Sequence, residues 1–209
     1  MKQIDVYSLN ELPAHVQVRA LEHLAEEHHF DYTGIEDILD YWTDRLEALG
    51  FEDAKVLFSH SCSQCDGASF ISSNINMDTV INNLILCEQK YERARELVSA
   101  HKLATDTRYP IMGGITSTQS RYSHEYSVKL DIYFLPCCHP LEECKKLYRL
   151  RDVLENSIEQ YRVSLCYAIY KDIVAEYEYH YSTENLSELA TVDNLYFHED
   201  GTIYKGEVL

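Results

Sequence analysis

The feature that most constrains the fold is a long stretch without helix breakers near the end of the chain. No glycine or proline interrupts the sequence from Leu141 to about Tyr181, and apolar residues recur there at helical spacing. They are Leu147, Leu150, Leu154, Ile158, Tyr161, Leu165, Ile169 and Ile173. The pattern predicts one long helix or two helices in series. About forty residues would span about 60 Å, which exceeds what a domain of this size usually needs, so we expect a bend or a partner.

Two helices are predicted before residue 50, after a short strand over residues 4–9. Asn10 is expected to cap the first helix, and the first turn of that helix tolerates Pro13. That stripe consists of Leu12, Val16, Ala20 and Leu24. The second helix has signals at both ends, because Thr33 and Glu36 have the spacing of a capping box and Gly50 supplies a stop.

The second helix carries two stripes of opposite character. The apolar stripe, which we expect to be buried, consists of Ile35, Ile38, Leu39, Trp42, Leu46 and Leu49. The acidic stripe on another face consists of Asp37, Asp40, Asp44 and Glu47. The carboxylates of this acidic stripe are candidate binding residues for a basic partner.

Strands are predicted in the middle of the chain and at its end. Residues 54–59 and 68–71 are predicted as two strands on either side of a polar loop. Two or more strands are predicted within residues 109–135, with a break at Gly113-Gly114. Residues 194–198 and 202–205 are predicted as a hairpin whose type I′ turn is at Asp200-Gly201. Tyr126, Val128, Leu130 and Ile132 are expected to share one strand face. Further helices are predicted from an Asp78 cap to about His101 and from about Thr183. We therefore predict a single α+β domain over residues 1–209, with an antiparallel sheet packed by several helices, including the long C-terminal helix or helix pair.

Composition indicates a soluble protein. Hydrophobic residues make up 45% of the chain, and no apolar run approaches the roughly 18 residues that a membrane span needs. The N-terminal sequence has no apolar segment of the secretory type. Seven cysteines in such a chain are expected to be reduced, since an odd number leaves a disulfide framework incomplete. We expect a cytoplasmic protein that does not contact a membrane.

The formal net charge of −17 is unevenly distributed. Residues 1–60 hold 13 acidic and 4 basic residues, residues 61–140 hold 8 and 7, and residues 141–209 hold 14 and 7. The two ends therefore carry the negative field, which repels nucleic acid and attracts basic proteins. Solubility alone would also explain such acidity.

The polar loop between the strands 54–59 and 68–71 is the first candidate site. Ser63, Gln64 and Asp66 could present an amide and a carboxylate to a ligand, with Gly67 allowing close backbone approach. The alternative is a structural turn in which these side chains bond the loop backbone. Asp66 is also a candidate catalytic residue.

Metal, redox and cofactor sites are not expected. Cys62 and Cys65 have a zinc-type spacing, but the adjacent Cys137 and Cys138 would point in different directions and form a poor second pair. A redox motif would open a helix, whereas a glycine and a strand follow here. The sequence has no phosphate loop, nucleophile elbow or His-Glu-x-x-His motif, so we expect no cofactor and regard an enzyme as the less favoured class.

A second candidate site lies at 121–126, before a predicted strand. His124 could act there as a general base, and Glu125 and Tyr126 could bind a ligand beside the polar loop. The alternative is a tyrosine-rich sheet edge.

Five segments resemble a family of small phage and prophage proteins labelled as similar to the antitoxin of a toxin–antitoxin stability system. They are Val6-Tyr7 with Glu11-Leu12, Asp40-Tyr41-Trp42, Phe58-Ser59 through Ser63-Gln64-x-Asp66-Gly67-Ala68-x-Phe70, Tyr122-x-His124-Glu125-Tyr126-Ser127, and Asn194-x-Tyr196 with Glu199-Asp200-Gly201. Cys65 stands where the family has glycine, and Cys62 where it has an aromatic residue or serine. The resemblance implies a phage context and no catalytic residues.

Three functions follow as hypotheses. The first is an antitoxin-like or anti-defence inhibitor that neutralises a basic host toxin or a nucleic-acid-binding defence factor through acidic surfaces, mimicking nucleic acid without binding it directly. The second is a small enzyme acting on a nucleotide or modified base, with Asp66 and His124 in one cleft. The third is a structural protein that forms a homodimer through the long helix.

Overall fold

The computed structural model describes residues 5–27, 33–60, 66–87, 111–118, 122–134 and 141–206. The chain divides into two compact units: the first comprises Met1–Ile35 with Ile173–Leu209, and the second comprises Glu36–Asp172. Helices and small antiparallel sheets make up the described residues, which confirms the α+β class. The prediction of a single domain stays a prediction.

The elements follow one another in this order. They are β1 (Tyr7–Ser8), a 3-10 turn (Leu9–Glu11), α1 (Ala14–Glu27), α2 (Thr33–Ala48), β2 (Phe51–Glu52), β3 (Lys55–Ser59), β4 (Gly67–Ile71), β5 (Asn74–Ile75), α3 (Met77–Cys87), β6 (Ile111–Ser117), β7 (Val128–Phe134), α4 (Leu141–His180), α5 (Thr183–Val192) and β8 (Tyr196–Phe197). The antiparallel pairs are β1 with β8, β2 with β5, β3 with β4, and β6 with β7.

The start of the first unit differs from the prediction. The backbone N–H of Ser8 donates to Oε2 of Glu11 at 2.8 Å, and this capping box turns the chain into the 3-10 turn. The predicted strand is therefore shorter, and Asn10 lies inside the turn instead of capping α1. The apolar stripe of α1 is buried as predicted, together with residues of α5 and β8.

The end of the first unit forms a capped helix and a hairpin. Ser182 accepts a hydrogen bond from Asn185 N–H at 3.2 Å and caps α5, which confirms the predicted start. In the hairpin, Gly201 N–H donates to the His198 carbonyl at 3.0 Å. Within this turn Gly201 has a positive φ of 91° and Asp200 does not, so the turn is type I followed by a left-handed glycine and not the predicted type I′.

The second helix of the chain matches the prediction closely. Gly50 has φ of 101° and ends α2, as its sequence position indicated. Every residue of the predicted apolar stripe is buried or half-buried, with Trp42 and Leu46 among the most buried side chains. Local sequence signals therefore mark the C-terminal end and the buried face of α2, whereas the capping box of Thr33 and Glu36 stays a prediction.

The strands of the second unit correct two details. Gly113-Gly114 lies inside β6 and does not separate two strands. A side chain at Gly114 would approach the Ser72 carbonyl oxygen to 3.2 Å, which explains the glycine. Tyr126 is exposed and precedes β7, so it does not share the predicted strand face. Val128, Leu130 and Ile132 lie on the buried face of β7, as predicted.

Two further helices, α3 and α4, remain to be compared with the prediction. Asn76 caps α3, because its Oδ1 accepts the Thr79 N–H at 3.1 Å, so the predicted Asp78 cap is wrong. The predicted extension towards His101 lies outside the described residues. The stretch 141–180 is a single helix of 40 residues, α4, which decides between one helix and two. Among the described residues, no helix is both long and apolar enough to cross a membrane.

Candidate functional site

The acidic stripe of α2 forms an exposed surface, here called the acidic face. Its four residues, Asp37, Asp40, Asp44 and Glu47, are all exposed. At 3.6 residues per turn they lie opposite the buried Trp42 and Leu46. Successive carboxylates are separated by a mean rise of about 5 Å along the helix, against about 3.4 Å between phosphates along one DNA strand. The acidic face thus has a linear charge density of the same order as a nucleic-acid strand.

Tyr41 and Arg45 border the acidic face. Tyr41 is 53% exposed, and the Arg45 guanidinium donates to its hydroxyl at 2.5 Å. The same guanidinium lies 4.9 Å from the centre of the Trp42 ring. Arg45 is the sole basic residue in the sequence of α2. The Arg45 guanidinium thus packs on two aromatic side chains at the border of the acidic face.

The structure brings together the described parts of the two predicted loop sites. A side chain at Gly67 would lie 2.8 Å from His124 Cβ and 3.1 Å from His124 Cα, so the start of β4 touches the turn before β7. Asp66 is half-buried directly before Gly67. Ser63 and Gln64 lie outside the described residues.

Serine hydroxyls hold this turn in place. Ser127 Oγ donates to the His124 carbonyl at 2.7 Å, accepts the His124 N–H at 3.1 Å, and lies 3.2 Å from Ser69 Oγ of β4. Ser59 Oγ of β3 accepts the Ser123 N–H at 2.8 Å. Sequence reasoning missed these serines, because nothing in their spacing distinguishes them from other small polar residues.

The hydrogen bonding of His124 does not favour the predicted role as a general base. Its Nδ1 lies 3.2 Å from the Tyr126 backbone nitrogen and accepts that N–H. A neutral ring that accepts this hydrogen bond carries its proton on Nε2. His124 would have to give up this hydrogen bond before its ring could accept a proton at Nδ1.

Glu125 is joined to the long helix α4. The Tyr167 hydroxyl donates to Oε1 of Glu125 at 3.0 Å. This bond raises the pKa of Tyr167, because ionisation of the phenol would place two negative charges together, and the Tyr126 hydroxyl adds to the effect. Tyr126 and Tyr167 are 69% and 57% exposed. Tyr167 was not predicted, since it lies far from Glu125 in the sequence.

A buried ion pair lies one turn away on α4. Arg162 is fully buried, and its Nη2 and Nε donate to Glu159 at 2.5 Å and 2.8 Å. Its Nη1 lies 3.6 Å from Cys166 Sγ. Burial raises the pKa of the Cys166 thiol to about 12, although the Arg162 charge acts in the opposite direction. Arg162, Glu159 and Cys166 therefore contribute to packing, and Cys166 lacks the lowered pKa of a reactive thiol.

No metal site is evident in the part of the chain that the structure describes, where no group of three or more histidine, cysteine or acidic residues could hold an ion. The cysteines Cys62, Cys65, Cys137 and Cys138 lie outside that part.

The first unit has an acidic cleft of its own, with a volume of about 490 Å³. Its lining residues are Asp5, Tyr7, His198, Glu199, Asp200 and Thr202. The Thr202 backbone and hydroxyl donate to Asp200, and these bonds lower the pKa of that carboxyl. The C-terminal acidity predicted from the sequence is thus partly gathered at one concave surface.

Comparison with known proteins gives one match. No curated protein and no solved structure matches the chain. Residues 35–183 match a family described as a domain of unknown function, DUF8835. The matched residues include the acidic face, the Gly67–His124 contact and Tyr167. That description names no activity, so the resemblance to antitoxin-like phage proteins stays a prediction. Because the match covers more than half of its length, the chain belongs to the DUF8835 family.

Proposed function

We propose that the chain is a phage-encoded, antitoxin-like or anti-defence inhibitor that acts in the cytoplasm of the host cell. It binds and neutralises a basic host toxin or a nucleic-acid-binding defence protein. The observation that carries this proposal is the acidic face of α2, on which Asp37, Asp40, Asp44 and Glu47 are all exposed opposite a buried apolar stripe. The net charge of −17 disfavours direct binding of nucleic acid by the chain itself.

Electrostatics supports the choice of partner. A protein that handles nucleic acid presents a cleft lined by lysine and arginine, and a matching row of carboxylates steers its approach and fixes its register. Tyr41, half-exposed beside the acidic face, supplies an aromatic side chain of the kind that dominates binding energy at interfaces. Charge complementarity and an aromatic anchor thus occur together on one helix.

The test is a co-expression screen followed by a binding measurement. Host toxins and defence proteins are expressed with this chain, and rescue of growth identifies the partner. The variant Asp37→Asn/Asp40→Asn/Asp44→Asn/Glu47→Gln is then compared with Glu22→Gln/Glu26→Gln/Glu178→Gln/Glu188→Gln, which removes the same charge from exposed positions of the first unit. We expect only the first variant to lose affinity, by about ten- to a hundredfold, with a reduced salt dependence.

Two results would overturn the proposal. One is a screen in which the chain rescues none of the toxins and defence proteins at low or moderate salt. The other is equal loss of affinity in the two charge variants, since net charge and not the acidic face would then control binding.

The second candidate function is a small enzyme acting on a nucleotide or modified base. The close approach of Gly67 to His124 favours it, because this contact brings Asp66 and His124 to the same region. Asp66→Asn and His124→Ala should then abolish turnover of a nucleotide substrate while leaving partner binding unchanged. Partner binding lost through the acidic face alone, with no turnover by the native chain, would exclude this alternative.

A further inference from the structure

Glu125 is a carboxylate that Tyr167 positions, and none of the described residues forms an ion pair with it. The Tyr167 hydroxyl donates a hydrogen bond to Oε1 of Glu125. Oε2 of Glu125 lies 3.6 Å from the position that a Cβ atom on Gly67 would occupy. Among the described residues, Oε2 receives no hydrogen bond, although a carboxylate oxygen can accept two. Arg162, a nearby cation on α4, is fully buried and paired with Glu159. Glu125, which is half-buried, therefore keeps unused acceptor capacity at Oε2.

Two exposed tyrosines accompany this carboxylate. Tyr126 is the next residue along the chain, and Tyr167 bonds to Glu125 directly. The Tyr126 side chain also contributes to the raised pKa of Tyr167, after Glu125 and burial. Large aromatic side chains at such exposure are favoured at binding surfaces, where they contribute area at low entropic cost. The arrangement places two exposed tyrosines beside one oriented carboxylate.

We propose that Glu125, Tyr126 and Tyr167 form a binding site for an arginine side chain of a protein partner. A guanidinium group is planar, stacks on tyrosine rings and donates two parallel hydrogen bonds to a carboxylate. A lysine ammonium satisfies only the charge, and a phosphate is repelled by Glu125. The proposal rests on the proposed function only in assigning the arginine to a basic partner. The site itself stands on the geometry of these three residues.

The test uses capped Gly-Arg-Gly and Gly-Lys-Gly peptides titrated into the full chain, followed by NMR signals of tyrosine rings. We expect saturable shifts at Tyr126 and Tyr167, with an affinity on the order of millimolar for so small a ligand, and tighter binding of the arginine peptide. Glu125→Gln should weaken that binding by about tenfold and Tyr126→Ala by about threefold, whereas Tyr179→Ala, an exposed tyrosine of the first unit, should leave it unchanged.

Tyr167→Phe separates positioning from contact. This variant keeps the ring but loses the hydroxyl that orients Glu125, so we expect weaker arginine binding and a smaller preference over lysine. Equal binding of both peptides to the native chain, or an unchanged affinity for the arginine peptide in Glu125→Gln, would overturn the arginine site. The acidic-face variant should retain peptide binding. Failure of that variant to affect the host partner would disprove the proposed function alone, while the peptide result would still decide the arginine site.

Discussion

The indole Nε1 of Trp42 donates a hydrogen bond of 2.9 Å to Oδ2 of Asp172. Trp42 lies on the buried stripe of α2, and Asp172 lies on α4. The bond therefore connects the helix that carries the acidic face to the helix that carries Tyr167, within the second unit. Because the indole has one N–H and is 3% exposed, this bond satisfies its sole polar group.

Replacing Asp172 should destabilise the fold modestly. Asp172→Ala removes the acceptor, and water replaces it in part because Asp172 is itself exposed. We expect the free energy of unfolding to fall by about 1 kcal/mol. Urea denaturation of Asp172→Ala beside Asp44→Asn, an exposed change on α2, provides the measurement. Equal stability of the two variants would show that the bond contributes nothing.

Gly67 and Gly34 offer a matched pair of alanine substitutions. Alanine at Gly67 meets the backbone of His124, which has little freedom to move, so we expect Gly67→Ala to cost about 1–3 kcal/mol. Alanine at Gly34 meets only the flexible end of Glu176, and alanine also favours helix, so we expect Gly34→Ala to change stability little. Thermal unfolding of both variants compares them. A larger loss for Gly34→Ala would contradict the packing described at Gly67.

The buried Arg162 should depend on its partner. Glu159→Ala leaves a fully buried guanidinium without its carboxylate, and we expect a loss of about 2 kcal/mol, less than for a fully buried pair because Glu159 is 40% exposed. Adding Arg162→Met removes the unpaired charge and should restore part of that loss. A double-mutant cycle by denaturant unfolding measures the coupling. Additive effects of the two changes would mean that the pair is not coupled.

Cys166 should resist alkylation in the folded protein. Its pKa of about 12 lies above the ordinary value of 9.0, so the reactive thiolate is nearly absent at pH 8 and becomes abundant only as the pH approaches 12. We expect peptide mapping after iodoacetamide treatment at pH 8 to find Cys166 unmodified until denaturant is added. Rapid modification without denaturant would show that the thiol is accessible.

The elements that the sequence predicted well depend on local signals. Thr33 and Gly50 mark the ends of α2, and the spacing of apolar and acidic residues fixes which of its faces is buried. The predictions are wrong where two neighbouring side chains could both cap the same helix, or where a residue far away in the sequence packs against the position. Asn76 caps α3 in place of the predicted Asp78. Gly114 lies within a strand and not at a break, and it is glycine because the Ser72 backbone passes too close for a side chain.

The candidate site was only partly predictable for the same reason. The acidic face follows from helical periodicity alone, and the structure confirms that its residues are exposed. The contact of Glu125 with Tyr167 joins residues far apart in the sequence, and no periodic pattern encodes such a pair. Tyr167 appears in the sequence merely as one of 17 tyrosines.

The isolated bridge between Ser72 and Ile115 has a consequence for how this family can vary. Each residue donates its N–H to the other's carbonyl, at 3.0 Å and 2.9 Å, and so closes a segment of the chain at a single point. The entropy of closing such a segment grows only with the logarithm of its length, and doubling the length costs about 0.6 kcal/mol. Relatives could therefore gain residues between these two positions, outside β5 and α3, and still make the same bridge.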